Sequence, residues 1–123
     1  MYSIRVERVF SAAHALVING VTETLHGHDW RVRVTVEAPS LDADGLLCDF
    51  HDLERHLDEI LRPFRDANLN DTPPFDRQNP SAEHVALHIA RSLDPVLPKS
   101  VTAVTAAVTE APGCEARYRL DRS

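Results

Sequence analysis

From Trp30 to Val36 the chain reads Trp-Arg-Val-Arg-Val-Thr-Val, a strict alternation of apolar and polar side chains that fits a β-strand with one buried face. Even positions point inward there. His26 and His28 share that parity and project from the same side, provided the strand runs back that far. The amino-terminal Tyr2-Ser-Ile-Arg-Val-Glu alternates too, and Phe10, Ala12 and His14 continue on even positions, with a bulge expected near Arg8-Val9. His14 can then face His26 and His28 across a hairpin whose connection covers roughly residues 15 to 25. Neutral imidazole is a common zinc ligand, and a site with only three protein ligands leaves a position open for water or substrate. The competing reading is three unrelated histidines, some buried and hydrogen-bonded and some exposed.

With 123 residues and 43% hydrophobic content, the chain has the size of one domain, taken here as residues 1–123. Its net charge of −6 provides no basic stripe, which argues against a nucleic-acid partner. Cys48 and Cys114 form neither a close pair nor a Cys-x-x-Cys motif, so no disulfide framework or cysteine zinc knuckle is indicated. No signal-like apolar core follows Met1 and no run is long enough to span a bilayer; the expected compartment is the cytoplasm, with no membrane partner.

Downstream, Pro39 to Gly45 is turn chemistry, and Asp49 is a plausible N-cap for a helix carrying Phe50, Leu53, Leu57, Ile60, Leu61 and Phe64. Pro63 sits at its end. The segment Arg65 to Asn79, with Pro73-Pro74, is a loop long enough to suspect function, after which Asn79-Pro80-Ser81 opens a second helix through Val85, Ile89 and Leu93. The tail reads as a hairpin: Val101 to Glu110, a turn at Pro112-Gly113, then Ala116, Tyr118 and Leu120 alternating with Arg117 and Arg119. The order β-β-α-α-β-β predicts an α+β domain, a four-stranded antiparallel sheet with both helices on one face. Open sheet edges must be covered or paired, and pairing between subunits would place ligand sites at subunit boundaries.

Phe10-Ser-Ala-Ala-His14, Leu25-His-Gly-His28, Gly45-Leu-Leu-Cys-Asp-Phe50, Leu69-Asn70, Asn79-Pro-Ser-Ala-Glu83 and Thr109-Glu110 together resemble the 6-pyruvoyltetrahydropterin and 6-carboxytetrahydropterin synthase family. His-Gly-His alone would be weak, but the set runs in order along almost the whole chain. The resemblance implies a T-fold subunit whose strands continue into an oligomeric barrel. It implies a homohexamer built as a dimer of trimers, a pterin substrate bound between subunits, and Zn2+ on His14, His26 and His28. Glu110 shares parity with Val104, Ala106 and Val108, which puts a carboxylate at the end of an apolar face, where it would be costly to bury unpaired. In the family the matching glutamate accepts from the pterin 2-amino group and ring N3–H, as one arm of a fork. Without the resemblance, a solvated glutamate beside a turn is the simpler reading.

Departures from the family pattern bear on mechanism. The usual catalytic cysteine stands four residues before the first histidine of His-Gly-His, and that position is Thr22. The supporting Asp-His pair falls on Arg65 and Asp66, and Cys48 reads as a small core residue rather than a replacement. Glu23-Thr-Leu-His26, however, resembles a subgroup in which a glutamate takes over from the cysteine and the side chain of 7,8-dihydroneopterin triphosphate is cleaved to 6-hydroxymethyl-7,8-dihydropterin. Glu23 would then be general base and acid, with Asp66 as a second proton carrier; otherwise Glu23 is an ordinary loop acid and Arg65-Asp66 an exposed pair. The reading is a zinc-dependent carbon–oxygen or carbon–carbon lyase acting on a dihydropterin. Two alternatives are a non-catalytic zinc- and pterin-binding homologue, and a zinc enzyme acting on another heterocycle or polyol. His51, His56, His84 and His88 are expected to be solvated or interfacial. Arg31, Arg33, Arg65, Arg77 and Lys99 are unranked candidates for a triphosphate, and no glycine-rich phosphate loop is present.

Overall fold

The computed structural model describes residues 1–123. In chain order the elements are β1 (Tyr2–His14), β2 (Val17–Ile18), β3 (Val21–Thr22), β4 (His26–Ala38), α1 (Phe50–Leu61), β5 (Ala67–Asn68), α2 (Ala82–Leu93), β6 (Ala103–Ala111) and β7 (Cys114–Asp121). Short 3-10 turns follow α1, β5 and α2. The main sheet runs β5-β1-β4-β6-β7. Its four long strands pair antiparallel as expected, and the two-residue β5 adds a short parallel strand to the β1 edge.

Strand β4 reaches back to His26, and β1 pairs with it without interruption from Tyr2↔Ala38 to His14↔His26. The bulge expected near Arg8-Val9 is therefore absent. Arg8 stays on the inner face because α1 supplies two carboxylates there: Asp58 at 2.8 Å and Glu54 at 2.9 Å. Neutralised in this way, a cation sits at the rim of the apolar face without breaking the register.

Even-numbered residues of the sheet, including Val6, Phe10, Trp30, Val32, Val34, Val36, Val104, Ala106 and Val108, are buried beneath the helices. Leu53, Leu57 and Leu61 face them from α1, as do Val85, Ile89 and Leu93 from α2. All belong to one cluster of 26 buried residues. Full burial of each such aliphatic side chain favours folding by about 1.5–3 kcal/mol before conformational entropy is charged against it. Asp49 caps α1 by accepting from the His51 N–H, and Ser81 caps α2 by accepting from the His84 N–H. The opposite sheet face carries a charge ladder in which Glu7 pairs with Arg31 and Arg33, and Arg33 with Glu115.

The β1–β4 connection is ordered by its own small hairpin, β2–β3. Asn19 and Gly20 form its turn with positive φ of 52° and 78°. Successive positive values match the Asn-Gly preference of tight hairpin turns. The segment Arg65 to Asn79 is likewise structured: β5 and a 3-10 turn at Leu69–Asp71 bury Leu69, and Phe75 packs on Phe64.

Candidate metal centre and substrate cleft

His14 ends β1 and His26 begins β4, so the hairpin register sets them directly opposite one another, and His28 lies opposite Ala12 one pleat further in. All three project from the core face. Their ring centroids are 4.7 Å apart for His14–His26, 5.1 Å for His14–His28 and 4.8 Å for His26–His28. Trp30, fully buried, forms the floor: it packs edge-on against His14 and His28 and donates its indole N–H to the Ala12 carbonyl.

Two backbone carbonyls orient the imidazoles. The His14 Nδ1 donates to the Pro80 carbonyl at 2.8 Å, and the His26 Nδ1 donates to the Thr24 carbonyl at 2.8 Å. A carbonyl can only accept, so the neutral rings carry their proton on Nδ1 and present a lone pair at Nε2. His28 is pushed below the ordinary histidine range by burial, against the opposing pull of the Glu110 carboxylate. That favours the neutral, metal-binding form.

Glu110 completes the cluster. Its Oε1 lies 2.6 Å from the His14 Nε2 and 3.4 Å from the His28 Nε2. One candidate ligand atom from each of His14, His26, His28 and Glu110 falls within 4.8 Å of all the others. Although Oε1 and the His14 Nε2 approach to 2.6 Å, the buried Nε2 atoms of His14 and His28 have no hydrogen-bond partner of suitable geometry. Orphaned buried nitrogens aimed at one point, with a carboxylate at the same point, are the arrangement a divalent cation satisfies, and imidazole and carboxylate both suit zinc.

Two open clefts meet at the start of β4. One, of about 580 Å³, is lined by Ser11, Ala13, Gly27, His28, Asp66 and Asn68; the other, of about 540 Å³, by His28, Arg31, Thr109 and Glu110. Asp66 thus shares a cleft with His28, held in a left-handed conformation at φ 56° while its N–H donates to the Ser11 carbonyl. Arg65 turns away to Asp58 and the Val9 carbonyl rather than pairing with Asp66. Glu23 lines neither cleft. It is exposed and accepts the Leu16 N–H at 3.0 Å through Oε1, bracing the β2–β3 hairpin, yet its charge still acts on His28.

The remaining histidines join no such cluster. His51 is solvated, whereas His84 donates to the Asn79 carbonyl and His88 is wedged between Phe64 and Phe75. Cys48 packs against the core, and burial raises its thiol pKa. Sequence reasoning missed the Pro80 carbonyl and a pair of asparagine clamps. Asn70 exchanges two hydrogen bonds with the Ala15 backbone, and Asn79 does the same with Val17, which fixes the chain just after His14. No helix is long and apolar enough to cross a membrane.

Residues 3–121 match the family model for 6-pyruvoyl tetrahydropterin synthase. The human 6-pyruvoyl tetrahydrobiopterin synthase is 36% identical over 78 residues, covering 62% of this chain and 54% of its own length, so the match spans about half of that relative. A 6-carboxy-5,6,7,8-tetrahydropterin synthase of Synechocystis is 34% identical over 100 residues, 76% of each chain. Among solved structures, the Plasmodium vivax 6-pyruvoyl tetrahydropterin synthase superposes with a TM-score of 0.81 over 98% of each chain at 20% identity, which shows a shared fold. A variant of the same protein, in which a glutamate described as a catalytic residue is replaced by alanine, superposes equally well.

Proposed function

The chain belongs to the 6-pyruvoyl tetrahydropterin synthase family, and from that premise we propose that it is a zinc-dependent lyase of 7,8-dihydroneopterin triphosphate or a related dihydropterin. The observation that carries the reading is the convergence of His14, His26 and His28 with two buried, unpartnered Nε2 atoms. These residues would hold zinc, whose Lewis acidity lowers the pKa of substrate hydroxyls beside it. Glu110 anchors the pterin through its 2-amino and N3–H donors.

Cleavage to 6-hydroxymethyl-7,8-dihydropterin needs a base and then an acid. Glu23 takes the proton from the C2′ hydroxyl as the C1′–C2′ bond breaks; C2′ leaves as the aldehyde of the two-carbon triphosphate fragment, the bond's electron pair passes into the conjugated C6=N5 unit, and the proton is then returned to C1′. The Plasmodium vivax relative's catalytic glutamate supports a carboxylate in this role where Thr22 replaces cysteine. Asp66, in the cleft with His28, is the second proton carrier. Assembly is proposed as a homohexamer. The β1 edge, covered by β5 only at Ala12 and Ala13, and the open edge of β7 lie on opposite sides of the sheet and suit head-to-tail pairing that closes a ring of subunits.

A second reading, a non-catalytic zinc and pterin binder, draws on the hydrogen bond that occupies Glu23 with the Leu16 N–H. Incubating the zinc-loaded protein with 7,8-dihydroneopterin triphosphate, with products identified by mass beside a Glu23→Gln control, separates the two. A side-chain product that the variant cannot make establishes the lyase; bound but unchanged substrate establishes the binder.

A further inference from the structure

We infer that Glu110 has a use besides holding the pterin: in the substrate-free protein it is a fourth protein ligand that closes the metal site, and an arriving pterin draws it away. This rests on the metal-centre reading above. The β6–β7 register passes from Thr109↔Glu115 to Ala111↔Cys114, so a bulge at Glu110 leaves that residue without a cross-strand partner. Bulges re-aim side chains, and this one turns the carboxylate onto the histidines.

The contact calls for a positive centre. The Nδ1 proton of His14 goes to the Pro80 carbonyl, so in the neutral ring the Nε2 lone pair faces the Glu110 Oε1 at 2.6 Å; a second proton on His14 would answer that contact alone and leave the buried His28 Nε2 unsatisfied. No lysine or arginine serves, because the ion-pair partners of Glu110 are His14 and His28 alone. A metal among the three imidazoles and this carboxylate satisfies both orphaned nitrogens and the carboxylate together. Four protein ligands make a closed site, and only departure of one opens a position. The pterin amino and N3–H groups compete for the same carboxylate oxygens, so substrate would open the metal to its own hydroxyls on arrival.

Cobalt(II) substitution reads this directly, since its visible absorption responds to the identity and number of the ligands. Wild-type protein should give a strong four-coordinate band. Glu110→Gln, with water in place of the carboxylate, should give a band changed in position or intensity and bind zinc about tenfold or more less tightly. Titrating the wild-type cobalt protein with pterin lacking a 6-side chain should change the band likewise as the ring binds, and this arm holds even if the variant does not fold. Equal spectra and zinc affinity for the two proteins, or a band unchanged at saturating pterin, would overturn the fourth-ligand role and leave the lyase reading standing. Failure of the wild-type protein to bind cobalt or zinc would remove both.

Discussion

The Nδ1 atom of His14 sits 2.8 Å from the carbonyl oxygen of Pro80, a contact between residues 66 apart in the chain. It links the end of β1 to the residue just before the α2 cap, so the imidazole that faces the cluster is aimed by the loop that starts the second helix. A ligand fixed in this way loses little freedom on binding a metal. Zinc at about one hundred times its dissociation constant stabilises the folded state by about 2.7 kcal/mol when the unfolded chain does not bind it. The melting temperature of the wild-type protein should therefore rise with zinc and fall back with EDTA. His26→Ala, at a partly buried ring, should lose the rise while its zinc-free melting temperature stays near that of the wild type. An equal rise in both proteins would place the metal elsewhere.

Asn70 and Asn79 act as substitute strand neighbours for the segment that follows His14. Each offers an amide to both backbone groups of one residue, Ala15 at 2.8 Å and 2.8 Å, and Val17 at 2.9 Å and 2.8 Å. Asn70→Ala strands a buried N–H and a C=O at Ala15, which costs about 1–3 kcal/mol. Asn70→Asp is no rescue, because a carboxylate cannot donate to the Ala15 carbonyl. Urea unfolding should rank both variants well below the wild type, and zinc affinity should drop with them as His14 loosens. Wild-type stability in Asn70→Ala would show that water replaces the clamp.

Periodicity made part of this site legible. The parity of His14, His26 and His28 follows from the same alternation that buries Val32 and Val34, so the sequence places three imidazoles on one face before any contact is known. Glu110 was legible by parity with Val108, but its final aim depends on a bulge that Pro112-Gly113 does not announce. Asn19-Gly20 is a strong hairpin signal that the sequence reading passed over, and the β2–β3 hairpin is what occupies Glu23. Arg8 misled in the other direction. A bulge is expected near Arg8-Val9, whereas Arg8 stays in register because the compensating Glu54 and Asp58 arrive from α1, 46 and 50 residues away. The Pro80 carbonyl and the asparagine clamps depend on the course of a loop, which residue type alone does not specify.

His88 predicts a pH dependence separate from the site. Its ring packs 5.5 Å from Phe64 and 5.7 Å from Phe75, centroid to centroid, and burial alone pushes its pKa below the ordinary 6.5. The unfolded chain binds this proton more readily than the folded one, so His88 lowers stability as pH falls through 6.5 toward the folded value. Above that range it is neutral in both states and has no effect. His88→Leu should therefore gain stability over the wild type on going from about pH 7.5 to about pH 5, measured by urea unfolding at each pH. A difference between the two proteins that does not change with pH would mean that the ring is protonated within the fold.

For the proposed triphosphate substrate, Arg31 is the basic residue that lines the cleft of His28 and Glu110. Arg33 is held by Glu7 and Glu115, and Arg65 by Asp58 and the Val9 carbonyl, while Arg77 lines a separate cleft beside Asn79. Arg31 lines the cleft shared by His28 and Glu110, its side chain is 47% exposed, and its single ion-pair partner is Glu7 at 3.2 Å. A guanidinium so lightly held can turn to a phosphate at the loss of only a surface pair. Arg31→Ala should raise KM for dihydroneopterin triphosphate about tenfold or more, the value of one charge-assisted contact, while kcat changes little. Unphosphorylated dihydroneopterin should be handled alike by both proteins, and added salt should narrow the gap for the triphosphate. If both substrates lose affinity equally, Arg31 shapes the cleft rather than meeting the phosphates; if neither does, Arg31 takes no part in binding them.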